Sequence, residues 1–513
     1  MTRSRRSTWN FTTITVYSVV SMVVGLVTVP VLLRNLGEVR LGAARAVLDW
    51  TGYLGIFELG LGGALAPLLA RGLARGDFAD VRAMLAAGFR GYLRVTAAML
   101  AGGILLAAAI TQLLRIDGIY HTDLRTAMLV ALLPLLLMPL TPLRALAEAG
   151  QRGYAVNLFL IVQNLAATGA AVFLSRRGWG ITGQSMALLI GAVAYSSLLA
   201  ADGWAQSRQL FPTHPLRSTP AAHGELWSLS SSTLVLNVCG RVGLLTDNII
   251  IGWALGAGWI VPFFMTQRLA QLAQGQLQAV GTATWAGLAE LHANGAHESF
   301  RSGLLELSRL VVMVGLVGLL PVVAYNNVFI ALWVGEAQFG GLMLTTLACA
   351  NALILSLASL WGWAFGGTGQ IQRLVPLGIA STCLNIAVSV GVTSWYARHD
   401  PHRAMWGPLL GTTTAYLALN LPCLPLLLRK HFGIPVGKLA ASVCVPLLAA
   451  VPYEIGLMWI AARHPPSSWP MLAAHMLAAA TVFAMICWTA FLTRADRGRW
   501  VTRVRQAARV RAV

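Results

Sequence analysis

Apolar stretches of about 18 to 28 residues recur from one end of the chain to the other, and no other feature restricts its fold so strongly. A helix rises ~1.5 Å per residue, so about 20 apolar residues cross the ~30 Å hydrocarbon core of a bilayer. Only 11% of the 513 residues are charged, against roughly 25% in soluble domains. Such a chain is an all-α polytopic membrane protein. The soluble rule of one domain per ~150 residues does not divide it.

Counting the runs between polar interruptions predicts about 14 transmembrane helices, among them helix 1 near 11–33, helix 2 near 43–70, helix 7 near 229–256 and helix 8 near 259–288. The first run follows a basic "MTRSRR", as the core of a secretory signal would, but it is too long for one and no small-residue cleavage site follows. It reads as a retained helix. With the N-terminus inside, 25 Lys and Arg residues fall in inner segments and 10 in outer loops, which places both termini in the cytoplasm. The tail from Arg494 carries seven arginines, which anionic lipid headgroups explain, so membrane lipids and not nucleic acid are its expected partner. All six cysteines lie in apolar runs without metal-ligand spacing and read as buried small residues.

A shift of 219 residues maps Gly37 onto Gly256, Gly62 onto Gly281, Gly76 onto Gly295, Arg82 onto Arg301 and Arg90 onto Arg309. Glycine and arginine matches at one offset point to an internal duplication. The expected division is an N-terminal lobe of helices 1–6 (1–205), a cytoplasmic linker (206–228), a C-terminal lobe of helices 7–12 (229–430), helices 13–14 (431–493) and the basic tail (494–513). Two pseudo-symmetric six-helix lobes plus two extra helices form an architecture suited to alternating access, with a cavity between the lobes.

Polar residues inside the apolar runs mark the candidate site. Gln267, Gln271, Gln274 and Gln278 are spaced 4, 3 and 4 apart, one stripe on helix 8, and Ser230, Asn237, Arg241 and Asn248 share a face of helix 7. Amides in register offer donors and acceptors to sugar hydroxyls, while single amides more often bond helix to helix. Arg241 and Arg268 are the two cations that the loops do not absorb. A guanidinium there must find water or a partner; its fork suits a phosphate or pyrophosphate, and the alternative is a structural pair with a carboxylate. Asp49, Glu58 and Asp247 are the available carboxylates, and Glu58 serves either proton or sodium coupling or a hydrogen bond that fixes a bend at Gly60, Gly62 and Gly63. The pattern carries no cofactor requirement beyond an ion gradient.

The stretch "VPVLLRNLGEVRLGAARAVLDWTGYLGIFELGLGGALAPLLARGLARGD" resembles the first two helices of bacterial polysaccharide (O-antigen type) flippases, within the multidrug/oligosaccharidyl-lipid/polysaccharide (MOP) exporter superfamily. "TDNIIIGWALGAGWIVPFFMTQRLAQL" is similar to its helices 7 and 8, and "GTGQIQRLVPLGIASTCLNIAVSVGV", with Asn385, to its helix 11. The resemblance implies an inner-membrane flippase that carries undecaprenyl-pyrophosphate-linked oligosaccharide to the periplasmic leaflet for surface polysaccharide such as lipopolysaccharide, beside a polymerase machinery. It carries over Glu58 and Asp247 by motif; Arg241 and Arg268 rest on placement alone. Trp285 stands where that family often shows proline, so helix 8 is expected to bend less there.

Other readings compete. A lipid II flippase shares the helix count, and a multidrug cation exporter shares the superfamily. A membrane glycosyltransferase or polymerase would need a long outer loop or an acidic catalytic pair, and neither is present in the sequence, so the chain is not expected to be an enzyme.

Overall fold

The computed structural model describes residues 3–58, 60–210, 219–491 and 497. Among the described residues the regular structure is entirely helical. The first part of the chain forms α1 (Arg3–Leu54), α2 (Leu61–Arg75), α3 (Phe78–Leu113), α4 (His121–Leu132), α5 (Thr141–Ala149), α6 (Gly153–Arg176), α7 (Gly180–Leu210) and α8 (Pro220–Ala254). Then follow α9 (Ala257–Thr266), α10 (Arg268–Ala293), α11 (His297–Trp333), α12 (Leu342–Gly367) and α13 (Val375–Tyr396). The order ends with α14 (Pro401–Ala404), α15 (Trp406–Ala415), α16 (Leu421–Phe432), α17 (Val436–Arg463) and α18 (Trp469–Ile486).

Among the described residues, eleven helical segments are long and apolar enough to cross a membrane. The long α1 is itself two helices joined at Gly37, whose φ of 73° and ψ of 172° are not helical. Separating them there, and adding α8 and the α9–α10 pair, gives the expected complement of about 14 passes. Helix ends follow local chemistry. Asp77 accepts from the N–H groups of Ala79 and Asp80 at 3.1 and 3.0 Å and caps α3. Asp123 reaches over from α4 to accept from Ile181 and Thr182 N–H at 2.8 and 2.9 Å, capping α7. The expected linker at 206–228 is helical at both ends, since α7 runs to Leu210 and α8 starts at Pro220; residues 211–218 lie outside the described ones. The basic tail also lies outside them, Arg497 aside.

The chain packs as two compact units, one of residues 1–262 with 386–408, the other of 263–385 with 409–513. In the first, α1 packs on α6 and α8, α6 on α7, and α2 on α3, α5 and α8. Its centre holds fully buried Leu61, Leu65, Leu69, Met84, Leu85 and Tyr92. In the second, α10 packs on α12, and α11 on α12, α17 and α18, around Phe300, Tyr325, Phe365 and Phe483. Outward faces stay apolar: Val16, Val19, Val23 and Val27 form one exposed row along α1, as a lipid-facing helix requires. Glycines equated by the 219-residue shift share backbone conformation. Gly76 and Gly295 have φ of 71° and 72°, and Gly37 and Gly256 have 73° and 104°, all in the region that favours glycine.

Candidate functional site

The second apolar pass does not run through as one helix. It stops at Leu54, tightens into a 3₁₀ turn over Gly55–Glu58, and restarts at Leu61 after Gly60 in the left-handed conformation, φ 75°. Glu58 therefore sits at a break inside the membrane span. Its Oε2 accepts from Arg241 Nη2 of α8 at 3.0 Å, and its Oε1 accepts from the Tyr92 hydroxyl of α3 at 2.9 Å. Two glycines make room for this triad. A Cβ on Gly55 would stand 2.1 Å from Arg241 Nη1, and one on Gly62 would stand 2.8 Å from Glu58 Oε1 and 3.1 Å from the Tyr92 oxygen. The Arg241 side chain is 41% exposed and that of Glu58 22%, so the pair is compensated but open.

The contact continues as an antiparallel seam between α1 and α8. Gly52 meets Leu245, where a Cβ would lie 3.0 Å from the leucine's Cδ1. The Tyr53 hydroxyl bonds to Thr246, and buried Asp49 accepts from Asn248 Nδ2 at 2.8 Å. Arg45, one turn earlier, stands 3.5 Å from the same Asp49 carboxylate. Asp247 lies half-buried within electrostatic reach of Asp49. The carbonyl oxygen of the Asn248 side chain is buried without a hydrogen-bond partner among the described residues.

Of the residues expected from the sequence, Arg241, Asn248, Asp49, Glu58 and Asp247 thus belong to the first unit, and the first four meet in two adjoining polar contacts. The side chain of Asn237 lies outside the described ones. Arg268 and the four glutamines belong to the second unit. There Gln267 is buried and donates to the Phe263 carbonyl of its own helix at 3.1 Å. Gln271 is exposed and Gln274 half-buried, while Gln278 donates to Ser359 of α12 at 3.5 Å. Arg268 opens α10 and is half-buried. Helix 8 is broken between α9 and α10 at Gln267, where Asn326 of α11 donates to the Thr266 carbonyl at 2.9 Å; α10 itself is continuous past position 285. Sequence reasoning left out Tyr92 and Gly55. An uncharged phenol and a glycine in a glycine-rich membrane helix carry no signal until α1, α3 and α8 are packed.

No family model matches the chain, and no curated protein matches it by sequence. Solved structures do. The lipid II flippase MurJ in an inward closed conformation superposes with a TM-score of 0.68 at 13% identity, covering 93% of this chain and 98% of its own. An inward-facing multidrug resistance MATE family transporter of the MOP superfamily gives 0.60 at 15%, covering 80% and 96%. A MOP superfamily transporter from Pyrococcus furiosus, described as having a binding pocket of reverse polarity, gives 0.56 at 14%, covering 83% and 95%. At these identities the likeness establishes architecture: the chain has the fold of MOP-superfamily flippases and transporters.

Proposed function

We propose that the protein is a flippase that moves a lipid-linked anionic glycan across the bacterial inner membrane, with undecaprenyl-pyrophosphate-linked oligosaccharide as its substrate class. The observation that carries this reading is Arg241, a half-exposed guanidinium in a membrane span, held by Glu58 across a helix break. A cation at that depth costs at least ~2.5 kcal/mol unless compensated. Glu58 supplies the compensation while leaving much of the guanidinium open, so an incoming phosphate competes for the same fork. The freed Glu58 carboxylate then takes up a proton, with the Tyr92 hydroxyl beside it, and this couples loading to a proton gradient.

The likeness to a lipid II flippase over 93% of the chain supports a lipid-linked substrate. Lipid II itself fits the same chemistry, since it too presents a pyrophosphate. An exported drug cation fits less well, because the open charge of the site is positive. The test is a strain lacking the protein. It should accumulate lipid-linked oligosaccharide in the cytoplasmic leaflet, restored by the wild-type chain and not by Arg241→Gln. Mass analysis of the accumulated lipid separates an oligosaccharide carrier from lipid II, and absence of any accumulated lipid overturns the reading.

A further inference from the structure

Three connections of the second unit, α10–α11, α12–α13 and α16–α17, come together at one end of its helices. Buried Phe300, from the start of α11, lies 5.1 Å from Phe432 at the end of α16, and Phe365, near the end of α12, packs on Phe432 at the same distance. Beside these rings Arg301 of α11 is matched: its Nη1 donates to Glu298 at 2.8 Å and its Nε to the Phe432 carbonyl at 2.7 Å. Arg373, in the 3₁₀ turn Ile371–Leu374 that leads into α13, meets a histidine instead. Its Nη1 lies against both ring nitrogens of His431, with Nε2 at 2.7 Å. A guanidinium only donates and a neutral imidazole accepts at one nitrogen, so the other ring nitrogen faces a second donor.

The neighbouring sequence does not cancel this charge. No Asp or Glu occurs between Glu336 and Asp400 or between Asp400 and Glu454, so the α12–α13 and α16–α17 connections bring cations alone. Arg429 and Lys430 precede His431 in the last turn of α16, Lys438 follows in the first turn of α17, and all three of these cations are exposed, as Arg373 is. The C-terminal dipole of α16 favours its own basic turn, but Arg373 stands at the N-terminal end of α13, where a cation is disfavoured. The apolar spans Leu342–Gly367, Ile371–Tyr396, Pro401–Phe432 and Val436–Arg463 end or begin at these same connections, which is the depth of lipid headgroups. Leu426, four residues before Lys430 and so on the same side of α16, is 56% exposed and offers an acyl chain an apolar surface. We infer that this corner binds an anionic phospholipid, whose phosphodiester accepts from Arg373 and His431 while its tail lies along α16. Such charge-assisted bonds give both side chains the acceptor that they cannot give each other. A free phosphate would meet the same donors but leave Leu426 unused. The site belongs to the second unit, does not involve Arg241 and does not depend on the proposed substrate.

The test titrates the full chain in detergent with phosphatidylglycerol or phosphatidylcholine of equal chain length. Native mass spectrometry counts bound lipids, and hydrogen exchange over 428–438 locates them. The wild type should retain phosphatidylglycerol at roughly tenfold lower concentration than phosphatidylcholine, with exchange slowed over that segment. Arg373→Gln should weaken phosphatidylglycerol binding about fivefold, and adding His431→Gln should abolish the slowed exchange. Arg463→Gln, at the other end of α17, should change neither. Equal binding of the two lipids overturns the inference, as does a wild-type preference in the double variant or an equal loss in Arg463→Gln. Inorganic phosphate as the sole additive separates the two sources: if it slows exchange over 428–438 as fully as phosphatidylglycerol does, the lipid assignment is overturned. If the double variant fails to fold, undiminished phosphatidylglycerol binding by Arg373→Gln alone overturns the inference in the same way.

Discussion

Arg241 Nη2 donates to Glu58 Oε2 at 3.0 Å, joining two residues 183 positions apart at the point where the second membrane pass breaks. The pair explains why a carboxylate stands in an otherwise apolar run. Glu58 is the last residue of the 3₁₀ turn that follows α1, two residues before left-handed Gly60 and the start of α2.

Removing one partner strands the other. Arg241→Gln should abolish complementation and lower the melting temperature in detergent, since Glu58 is left in the span without its cation. The pair is partly exposed, so the stability loss should be about 1 kcal/mol and not the 3–5 kcal/mol of a fully buried pair. Glu58→Gln should cost less stability, because Arg241 is the more exposed partner. Thermal unfolding followed by tryptophan fluorescence measures both.

Gly55→Ala and Gly42→Ala separate site from scaffold. At Gly55 the new methyl meets the Arg241 guanidinium at 2.1 Å, the far end of a flexible side chain, which can swing away. Folding should survive and transport should fall with that of Arg241→Gln. At Gly42 the methyl would stand 1.8 Å from the Ala257 backbone oxygen, which cannot. That variant should lose ~2 kcal/mol or more and express poorly.

Asn248→Leu should destabilise the first unit by about 1–3 kcal/mol, because buried Asp49 loses the amide donor that reaches it at 2.8 Å. Asp49→Asn in the same background should recover part of that loss, since it removes the charge that needed the donor. A double-mutant cycle on melting temperature checks the coupling.

In the second unit, Asn326→Ala should loosen helix 8 where α9 meets α10. Buried Asn326 donates to the Thr266 carbonyl at 2.9 Å and to the Thr345 hydroxyl at 3.0 Å. Losing both leaves two buried acceptors short of a donor, a cost of about 1–3 kcal/mol. Faster hydrogen exchange over 263–271 than in the wild type would register it.

The membrane passes were legible because crossing a bilayer demands length and apolarity, which a sequence displays directly. The fourteen expected spans fall on the observed helices, with ends displaced mainly where a helix continues past the membrane, as α8 does back to Pro220. Long-range pairing was not legible. The sequence offers three carboxylates for Arg241, and only the packing of α1 on α8 selects Glu58. The amide stripe of helix 8 shows the opposite limit: spacing alone puts Gln267 and Gln278 on one face, but Gln267 bonds back to the Phe263 carbonyl four residues earlier while Gln278 reaches Ser359. Periodicity describes a straight helix, and the neighbours decide whether it stays straight.

The most direct test of the Arg241–Glu58 site is translocation of a fluorescent undecaprenyl-pyrophosphate oligosaccharide in proteoliposomes, read by chemical quenching of the outer leaflet under an imposed proton gradient. The wild-type chain should move the lipid in response to the gradient, and folded Arg241→Gln should move it no faster than empty vesicles. Equal rates for the two proteins would contradict the account.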